Sequence, residues 1–316
     1  MGRARTSLDR GDLEGTRDTL LRLLALQETN KQARLALTDV LMRMRRWTDA
    51  DNQAQILSSQ FPADTEPTYL RSVIAMRRGE PQTSRDLASR CLILGDSRPE
   101  VYKVLALAEY ALGQNDEFET HIRAVLKTNP SDAEAQYFLA RYLYEIQYYD
   151  QSLRAFQSVL EMQPEHYKSH YYAGLLYGGA GNESRARQEY LAAIRIIESK
   201  EARYAFPYAD LGRQLAEAGD LDNAIQWLTR GIQNDPACPK PYYEYARALF
   251  QRGAEPEIEK SLREAVRLDP GYTEAYYLLA RYYRKLGESQ LAAQALTRFK
   301  DLKDHPLPSP YGLHRQ

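Results

Sequence analysis

The sequence predicts an all-α solenoid, in which antiparallel helix pairs stack along the chain, and two residue types carry this prediction. Glycines and prolines recur at a spacing of 34 residues or twice that, and both series require one insertion of four residues between Gly181 and Gly219. A period of 34 residues accommodates two helices, and such a pair buries its apolar face only against its neighbours. The series are Gly11, Gly79, Gly113, Gly181, Gly219, Gly253 and Gly287, and Pro62, Pro130, Pro164, Pro236 and Pro270.

A row of small residues marks the line where the two helices of each pair meet. The residue seven positions before each glycine site is small in all nine copies, and the residue five positions after it is small in seven copies, with Phe118 and Ile258 as the exceptions. Helices approach closely only where side chains are small, so the two rows predict a helix–helix seam. The first row is Ala4, Thr38, Ser72, Ala106, Ala140, Gly174, Gly212, Ala246 and Ala280.

The clearest copy contains Tyr208, Leu211, Gly212, Leu215, Gly219, Ala224, Leu228 and Pro236. This pattern resembles the tetratricopeptide repeat, which has an aromatic residue, a Leu-Gly pair, a small residue and a closing proline at similar spacings. The resemblance implies a right-handed α-solenoid of about nine repeats, the first incomplete, in which the first helix of each repeat, helix A, lines a concave groove. The copy at residues 65–98 departs from the pattern at Thr68, Arg71 and Ser72.

The repeat register also predicts the domain organisation, with a repeat array at residues 1–304 and a Pro-rich, extended tail at residues 305–316. Helix A of the first copy is clipped to residues 3–10, which indicates either a fragment of a longer protein or a half-repeat cap. The four-residue insertion should lengthen the helix that ends near Ser199 by about one turn, since a turn takes about 3.6 residues. Complete copies start near residues 31, 65, 99, 133, 167, 205, 239 and 273, after a partial copy at residues 1–30.

Composition excludes several classes of protein. Lys and Arg number 42 and Asp and Glu number 43, so a net charge of −1 argues against bulk binding of nucleic acid or an anionic membrane. No apolar run approaches the ~20 residues of a membrane span, no signal peptide opens the chain, and two cysteines cannot form a disulfide framework. We therefore expect no membrane insertion. The compartment stays open, with the cytoplasm slightly favoured.

The groove itself is predicted from the register that the resemblance supplies, in which residues 2, 5, 9 and 12 of each copy face inward. Tyrosine is abundant, with 24 Tyr against 7 Phe, and it recurs at position 5, whereas arginine recurs at position 9. An i, i+4 pair shares one helix face, so each Arg can lie beside or over a Tyr ring. The predicted partner-binding residues are Tyr137, Arg141, Tyr144, Tyr171, Arg213, Tyr243, Arg247, Phe250, Tyr277 and Arg281.

Two interpretations of this Tyr/Arg wall remain open. Arginine offers a planar donor fork for carboxylates, so the wall suits an extended peptide that carries acidic groups or a C-terminal carboxylate. Alternatively, the same side chains form networks between copies with glutamates on the same face, namely Glu134, Glu145, Glu217 and Glu274. Some family members clamp a carboxylate with Lys at position 5 and Asn at position 9 of one copy. This clamp is not carried over here, because the copy with Lys103 at position 5 has Leu107 at position 9.

Few residues indicate chemistry. His166 and His170 are four residues apart and could share a metal ion, but no third ligand is evident nearby. Cys91 stands at a small packing position and is expected in the core, whereas Cys238 stands in a loop between two prolines and is expected to be exposed. We therefore expect no catalytic site, no metal and no cofactor.

The sequence thus predicts a non-catalytic interaction scaffold that binds a protein or peptide segment. Its partner stays unnamed, because function resides in the site rather than in the fold. One alternative is a regulatory or adaptor segment of a larger multidomain enzyme or of a secretion or assembly factor. Another is RNA binding by helical repeats, which the 34-residue period and the net charge disfavour. The incomplete first repeat also offers an apolar end for end-to-end self-association.

Overall fold

The computed structural model describes residues 12–253 and 256–307. The described residues form seventeen α-helices and contain no β-strand. In chain order the helices are α1 (Leu13–Leu26), α2 (Lys31–Arg43), α3 (Trp47–Gln60), α4 (Thr65–Arg77), α5 (Pro81–Ile93), α6 (Pro99–Leu112), α7 (Asn115–Thr128), α8 (Ala133–Glu145), α9 (Tyr149–Met162), α10 (Tyr167–Gly179), α11 (Glu183–Ser199), α12 (Phe206–Glu217), α13 (Leu221–Asn234), α14 (Pro239–Arg252), α15 (Glu257–Leu268), α16 (Thr273–Lys285) and α17 (Ser289–Asp304).

The even-numbered helices, α2 to α16, are the A helices of the complete copies. Each begins within one residue of the start that the register predicts, including α12 at Phe206 after the insertion. The clipped helix A of the first copy, at residues 3–10, and the tail from residue 308 lie outside the described residues. That all copies form one array from residue 1 to residue 304 stays a prediction.

The turn between the two helices of a copy has a left-handed residue at the glycine site in seven copies, whereas Gly253 is extended there, with φ of 165°. Five glycines there have φ between +73° and +85°. Arg45 and Gln147 occupy the same site in copies that lack the glycine, and they have φ values of 56° and 64°. Non-glycine residues pay about 1–2 kcal/mol in this conformation, so the turn geometry persists where the sequence does not favour it. The five glycines are Gly79, Gly113, Gly181, Gly219 and Gly287.

The seam that the small residues predict is confirmed. Ala106, Ala140 and Ala246 are fully buried between the helices of their pairs. At Gly212 the approach is closer still, because a Cβ atom there would lie 2.5 Å from Cγ of Leu228. The sequence therefore sets the helix spacing within each copy through these positions.

The insertion lengthens a helix, as predicted. Helix α11 has 17 residues, whereas helices α9 and α13 at the same place in their copies have 14. Its additional turn buries Ile197, and Glu201 follows it in the left-handed conformation with φ of 50°. The extra residues are therefore absorbed within regular structure and the start of α12 keeps its place in the register.

The chain divides into two compact units, Met1–Tyr142 and Leu143–Gln316. Within each unit the contacts join helices that are close in the chain, such as α4 with α5 and α12 with α13. The core of the first unit includes Leu20, Leu37 and Ile74, and that of the second includes Tyr190 and Tyr208. This pattern of neighbour contacts is typical of stacked repeats.

Candidate functional site

In the first unit, arginine stacks on an aromatic residue of the preceding copy. The guanidinium of Arg141, at position 9 of α8, lies 5.5 Å from the ring centroid of Tyr110, at position 12 of α6. Tyr110 in turn contacts Phe138 edge-on, with 5.6 Å between ring centroids. Tyr137, which the sequence pairs with Arg141, is buried and only 7% exposed.

The second unit repeats this arrangement near its end. Arg281, at position 9 of α16, lies 5.1 Å from the ring centroid of Phe250, at position 12 of α14. The ammonium of Lys285 lies over the same ring at 5.2 Å. The sequence interpretation places each Arg beside or over the Tyr four residues before it, and these two stacking contacts join an Arg to a ring of the preceding copy. The reason is that a long Arg side chain reaches across to the neighbouring A helix.

A buried carboxylate joins three A helices of the second unit. Asp210 on α12 accepts hydrogen bonds from Nζ of Lys240 at 2.6 Å, from the hydroxyl of Tyr171 at 3.0 Å and from Nε of Arg213 at 3.4 Å. Asp210 is 2% exposed and Tyr171 is 5% exposed. Burial opposes ionisation, but Lys240 and Arg213 outweigh it, so the pKa of Asp210 is lowered. Tyr171, a predicted groove residue, therefore serves here to link α10 to α12.

Two predicted groove arginines share one glutamate. Arg213 and Arg247 lie 3.2 Å and 3.1 Å from the carboxylate of Glu217. Arg247 also approaches Glu244, at 2.9 Å between Nε and Oε2. Glu244 is buried, and burial raises its pKa to about 7 even though Arg247 and Lys240 oppose the shift. These contacts form the kind of network between copies that the sequence leaves open as the alternative.

Sequence reasoning missed Asp210, Glu244 and Lys240, although a signal for two of them exists. Position 6 of helix A is apolar in six copies and acidic only in the neighbouring copies that hold Asp210 and Glu244. An acidic side chain at an otherwise apolar position needs a cationic partner, because an unpaired buried charge is costly. The two acidic residues at position 6 are therefore the pattern in the sequence that points to a buried ionic network.

The remaining predicted tyrosines differ in how much of each ring is accessible. Tyr277 is 47% exposed and its ring centroid lies 5.2 Å from that of Phe299. Tyr243 is half-buried against Tyr272, and burial raises its pKa to about 12. Tyr144 is also half-buried and packs edge-on against Tyr172 at 5.4 Å. Of the predicted tyrosines, Tyr277 therefore offers the largest accessible ring.

The first unit contains a cleft of about 460 Å³ between α4, α6 and α8. Val73, Met76, Leu107 and Phe138 give it an apolar floor, and each of these side chains is half-buried. These residues stand at positions 6, 9 and 12 of their helices, close to the register predicted for the groove. The polar lining residues are Tyr69, Arg77, Glu100, Lys103, Asn129, Asp132 and Glu134.

Lys103 stands at the edge of this cleft, held by two carboxylates. Its Nζ lies 3.0 Å from Oδ2 of Asp132 and 2.8 Å from Oε2 of Glu134. Burial lowers the pKa of Lys103, but the hydrogen bonds to Glu134 and Asp132 outweigh burial and the pKa is raised. The ammonium is therefore charged and already paired.

The two histidines each have protein partners. His170 Nδ1 lies 2.6 Å from Glu189 and its Nε2 lies 2.9 Å from the carbonyl oxygen of Pro164. Burial lowers the pKa of His170, but these bonds outweigh burial and the pKa is raised, as expected for a doubly protonated ring between two acceptors. His166 Nδ1 accepts from the backbone N–H of Ser169 at 3.2 Å, and burial lowers its pKa.

Both cysteines are buried. This confirms the core position predicted for Cys91, and burial raises its pKa to about 11. The exposure predicted for Cys238 is wrong, because this residue immediately precedes α14 and is packed inside, where burial raises its pKa to about 12. Within residues 12–253 and 256–307, no three His, Cys, Asp or Glu side chains are grouped closely enough to hold a metal ion.

Family models described as tetratricopeptide repeat match residues 99–142, 140–201 and 261–294. The chain is a tetratricopeptide repeat protein. Among solved structures, this repeat protein is similar to the APC/C hetero-tetramer Cut9-Hcn1, with a TM-score of 0.63 and 13% identity over 94% of this chain and 57% of that one. This likeness shows the fold alone, a solenoid of antiparallel helix pairs.

Two curated relatives of this tetratricopeptide repeat protein also carry the repeat. The TPR repeat-containing protein YpiA of Bacillus subtilis is 25% identical over 52% of this chain and 38% of its own length. The TPR repeat-containing thioredoxin TTL4 of Arabidopsis thaliana is 32% identical over 33% of this chain and 14% of its own length. The chain thus spans well under half of either relative. In the described part of the chain, no helix has the length and apolar character that crossing a membrane requires.

Proposed function

We propose that the protein is a non-catalytic interaction scaffold whose A helices bind an acidic protein or peptide segment at the Tyr/Arg wall. One observation carries the proposal: Arg281 and Lys285 lie on the ring of Phe250, and no carboxylate among the described residues forms an ion pair with either. Stacking holds the guanidinium in place and leaves its N–H donors available to a ligand. The exposed ring of Tyr277 lies one turn earlier on the same helix and adds stacking area.

The neighbouring Arg247 is bound to Glu217, yet this pair is weak enough to exchange. The Glu217 side chain is 49% exposed, and exposed ion pairs contribute only about 0–1 kcal/mol. A ligand carboxylate that reaches Arg247 therefore competes with Glu217 at little cost. Within the second unit, Tyr144, Tyr171 and Arg213 belong to the same proposed surface, although Tyr171 is only 5% exposed. Tyr137 and Arg141 stand at positions 5 and 9 of α8 in the first unit, where Tyr137 is 7% exposed.

A second candidate function is an adaptor segment within a larger enzyme or assembly factor. The relative TTL4 is named both as a protein that contains these repeats and as a thioredoxin, and the match to this chain covers 14% of its length. Both candidate functions assign the repeats to binding a protein partner. They differ in whether the same polypeptide also carries a catalytic domain. A catalytic domain in the same gene would favour the second candidate.

The test compares a groove double variant with a charge-matched control. Arg247→Glu with Arg281→Glu changes two inner-wall cations, and Arg154→Glu with Arg267→Glu makes the same charge change on exposed faces of α9 and α15. Fluorescence anisotropy with fluorescein-labelled oligoglutamate should show affinity falling by at least about tenfold in the groove variant and much less in the control. Circular dichroism should show that both variants are folded, and Arg281→Glu alone, which leaves the pair of Arg247 with the buried Glu244 intact, repeats the measurement if the double variant is not. Equal losses in the two variants, or no loss in the groove variant, would overturn the proposal.

A further inference from the structure

The cleft in the first unit differs chemically from the Tyr/Arg wall. Position 9 of helix A is Arg in four copies but Val73 in α4 and Leu107 in α6, and position 12 of α4 is Met76. These three side chains face a space of about 460 Å³ with Phe138 beside them. A cleft of this size lies within the range of ligand pockets, and its half-buried apolar floor is available to a further apolar group.

The edge of the cleft is acidic on balance. Asp132 and Glu134 share the single ammonium of Lys103, so this cluster keeps one negative charge. Glu100 lies one turn before Lys103 on α6, is exposed and lines the same cleft, whereas Arg77 contributes a positive charge at the end of α4. The lining groups therefore sum to one net negative charge, which is concentrated along α6 and the start of α8.

The walls of the cleft are held in place without a ligand. The ring of Tyr69 packs under the guanidinium of Arg98, with 5.1 Å to the ring centroid. Arg98 is fixed in turn by Glu66 at 2.6 Å and by Asp96 at 2.8 Å. Asp132 Oδ1 accepts from the backbone N–H of Ala135, which anchors the carboxylate that holds Lys103. A preformed cleft of this kind loses little ordering entropy on binding.

We infer that this cleft binds a peptide segment that inserts one large apolar side chain between α4, α6 and α8 and carries Lys or Arg beside it. The apolar side chain covers Val73, Met76 and Leu107, and the flanking cation lies against Glu100 and the Asp132–Glu134 pair. The inference rests on the proposed scaffold function, since it adds a second binding site of opposite charge preference. A carboxylate-rich peptide or a second copy of this chain is the competing occupant.

Selection from a random peptide library tests the chemistry of the occupant. Peptides displayed on phage are selected for binding to the full chain. Those that also bind Leu107→Trp or, in a separate experiment, Val73→Trp are then removed, since these variants fill the cleft from two different helices. Circular dichroism establishes that at least one of them is folded. Peptides that bind the wild-type chain but no folded variant should share one large apolar residue next to Lys or Arg. Enrichment of Asp and Glu, or no difference between the wild-type chain and a folded variant, would overturn the inference.

The direction in which Lys103→Ala changes the affinity for a peptide separates a cationic occupant of the cleft from an acidic one. Lys103→Ala removes the cation and leaves Asp132 anchored by Ala135, so the cleft becomes more negative. A synthetic peptide Gly-Ser-Lys-Phe-Lys-Ser-Gly should then bind about two- to fivefold more tightly by anisotropy, and its Phe→Ala analogue should bind about ten- to hundredfold more weakly than the parent. Weaker binding of the parent to Lys103→Ala, or no effect of Phe→Ala, contradicts the inference. A concentration-dependent sedimentation coefficient that Leu107→Trp abolishes would instead assign the cleft to a second copy.

The two proposals fail separately. If Leu107→Trp changes nothing while the Arg247/Arg281 variant loses oligoglutamate, the scaffold function stands and the cleft inference falls. If neither variant changes the binding of its probe, both fall.

Discussion

Replacing Asp210 with Ala should destabilise the second unit strongly. The substitution removes the acceptor for the Lys240 ammonium, whose side chain is 16% exposed, and for the hydroxyl of Tyr171, which is buried. Removing one partner of a buried ion pair costs about 3–5 kcal/mol, and the stranded hydroxyl adds about 1 kcal/mol or more. Because Lys240 keeps some contact with water, we expect the lower part of this range, about 3–4 kcal/mol.

Urea unfolding followed by circular dichroism measures this loss. Repeat proteins need not unfold in a single step, so the comparison uses the midpoint of the transition that Asp210→Ala displaces. With a slope of about 1–3 kcal/mol per molar urea, a loss of about 3 kcal/mol lowers that midpoint by at least about 1 M. Lys240→Met in the Asp210→Ala background should recover part of the shift, since it removes the uncompensated charge.

The matched control is Asp222→Ala. Asp222 is also paired with an arginine, Arg252 at 3.7 Å, but its side chain is 88% exposed. Its removal should change stability by no more than about 0.5 kcal/mol. If Asp210→Ala shifts the midpoint no further than this control does, the buried network contributes nothing to stability and the reasoning is refuted.

Three further predictions concern the repeats of the second unit. Because the pKa of His170 is raised, its ionised form stabilises the fold below about pH 6.5, and this stabilisation is lost as the pH rises through the raised pKa. In urea titrations, His170→Gln should therefore lose most stability relative to the wild-type chain near pH ~5.5 and least near pH ~9. A stability difference that does not change with pH would contradict this. Gly212→Ala should cost about 1–2 kcal/mol through overpacking against Leu228, whereas Gly179→Ala, where a Cβ atom meets nothing, should not destabilise; equal midpoints would refute the seam. Gln147→Gly should raise the thermal midpoint by relieving up to about 1 kcal/mol of left-handed strain, and a lower midpoint would argue against that strain.

The repeat geometry could be predicted from sequence because its determinants are local. A left-handed glycine, a small seam residue and a proline before the next helix each act within a few residues. Their period therefore placed the start of α6 at Pro99 and, across the insertion, the start of α12 at Phe206 to within one residue. Cys238 shows the limit of this reasoning, because a residue between two prolines reads as an exposed loop until the packing of α14 is known.

The candidate site could be predicted only as a set of helix faces. The register indicated that positions 5 and 9 point the same way, but exposure at those positions ranges from buried Tyr171 to Tyr277 at 47%. That difference depends on the next A helix, whose Asp210 hydrogen-bonds to Tyr171. Such a contact joins residues 39 positions apart, and no pattern within a single copy reports it.

The copies that precede Arg281 and Arg247 give these two arginines different partners. Arg281 follows a copy with Phe250 at position 12, and it therefore lies on a ring that holds it without neutralising it. Arg247 follows a copy with Ala216 at that position and Glu217 next to it, so it forms an ion pair instead. The net charge of −1 is a sum over the whole chain, so it does not distinguish the stacked Arg281 from the ion-paired Arg247. Changing these partners should change the roles: Phe250→Ala deprives Arg281 of the ring on which it stacks. Glu217→Ala removes the exposed carboxylate that competes with a ligand for Arg247, while the contact of Arg247 with the buried Glu244 remains.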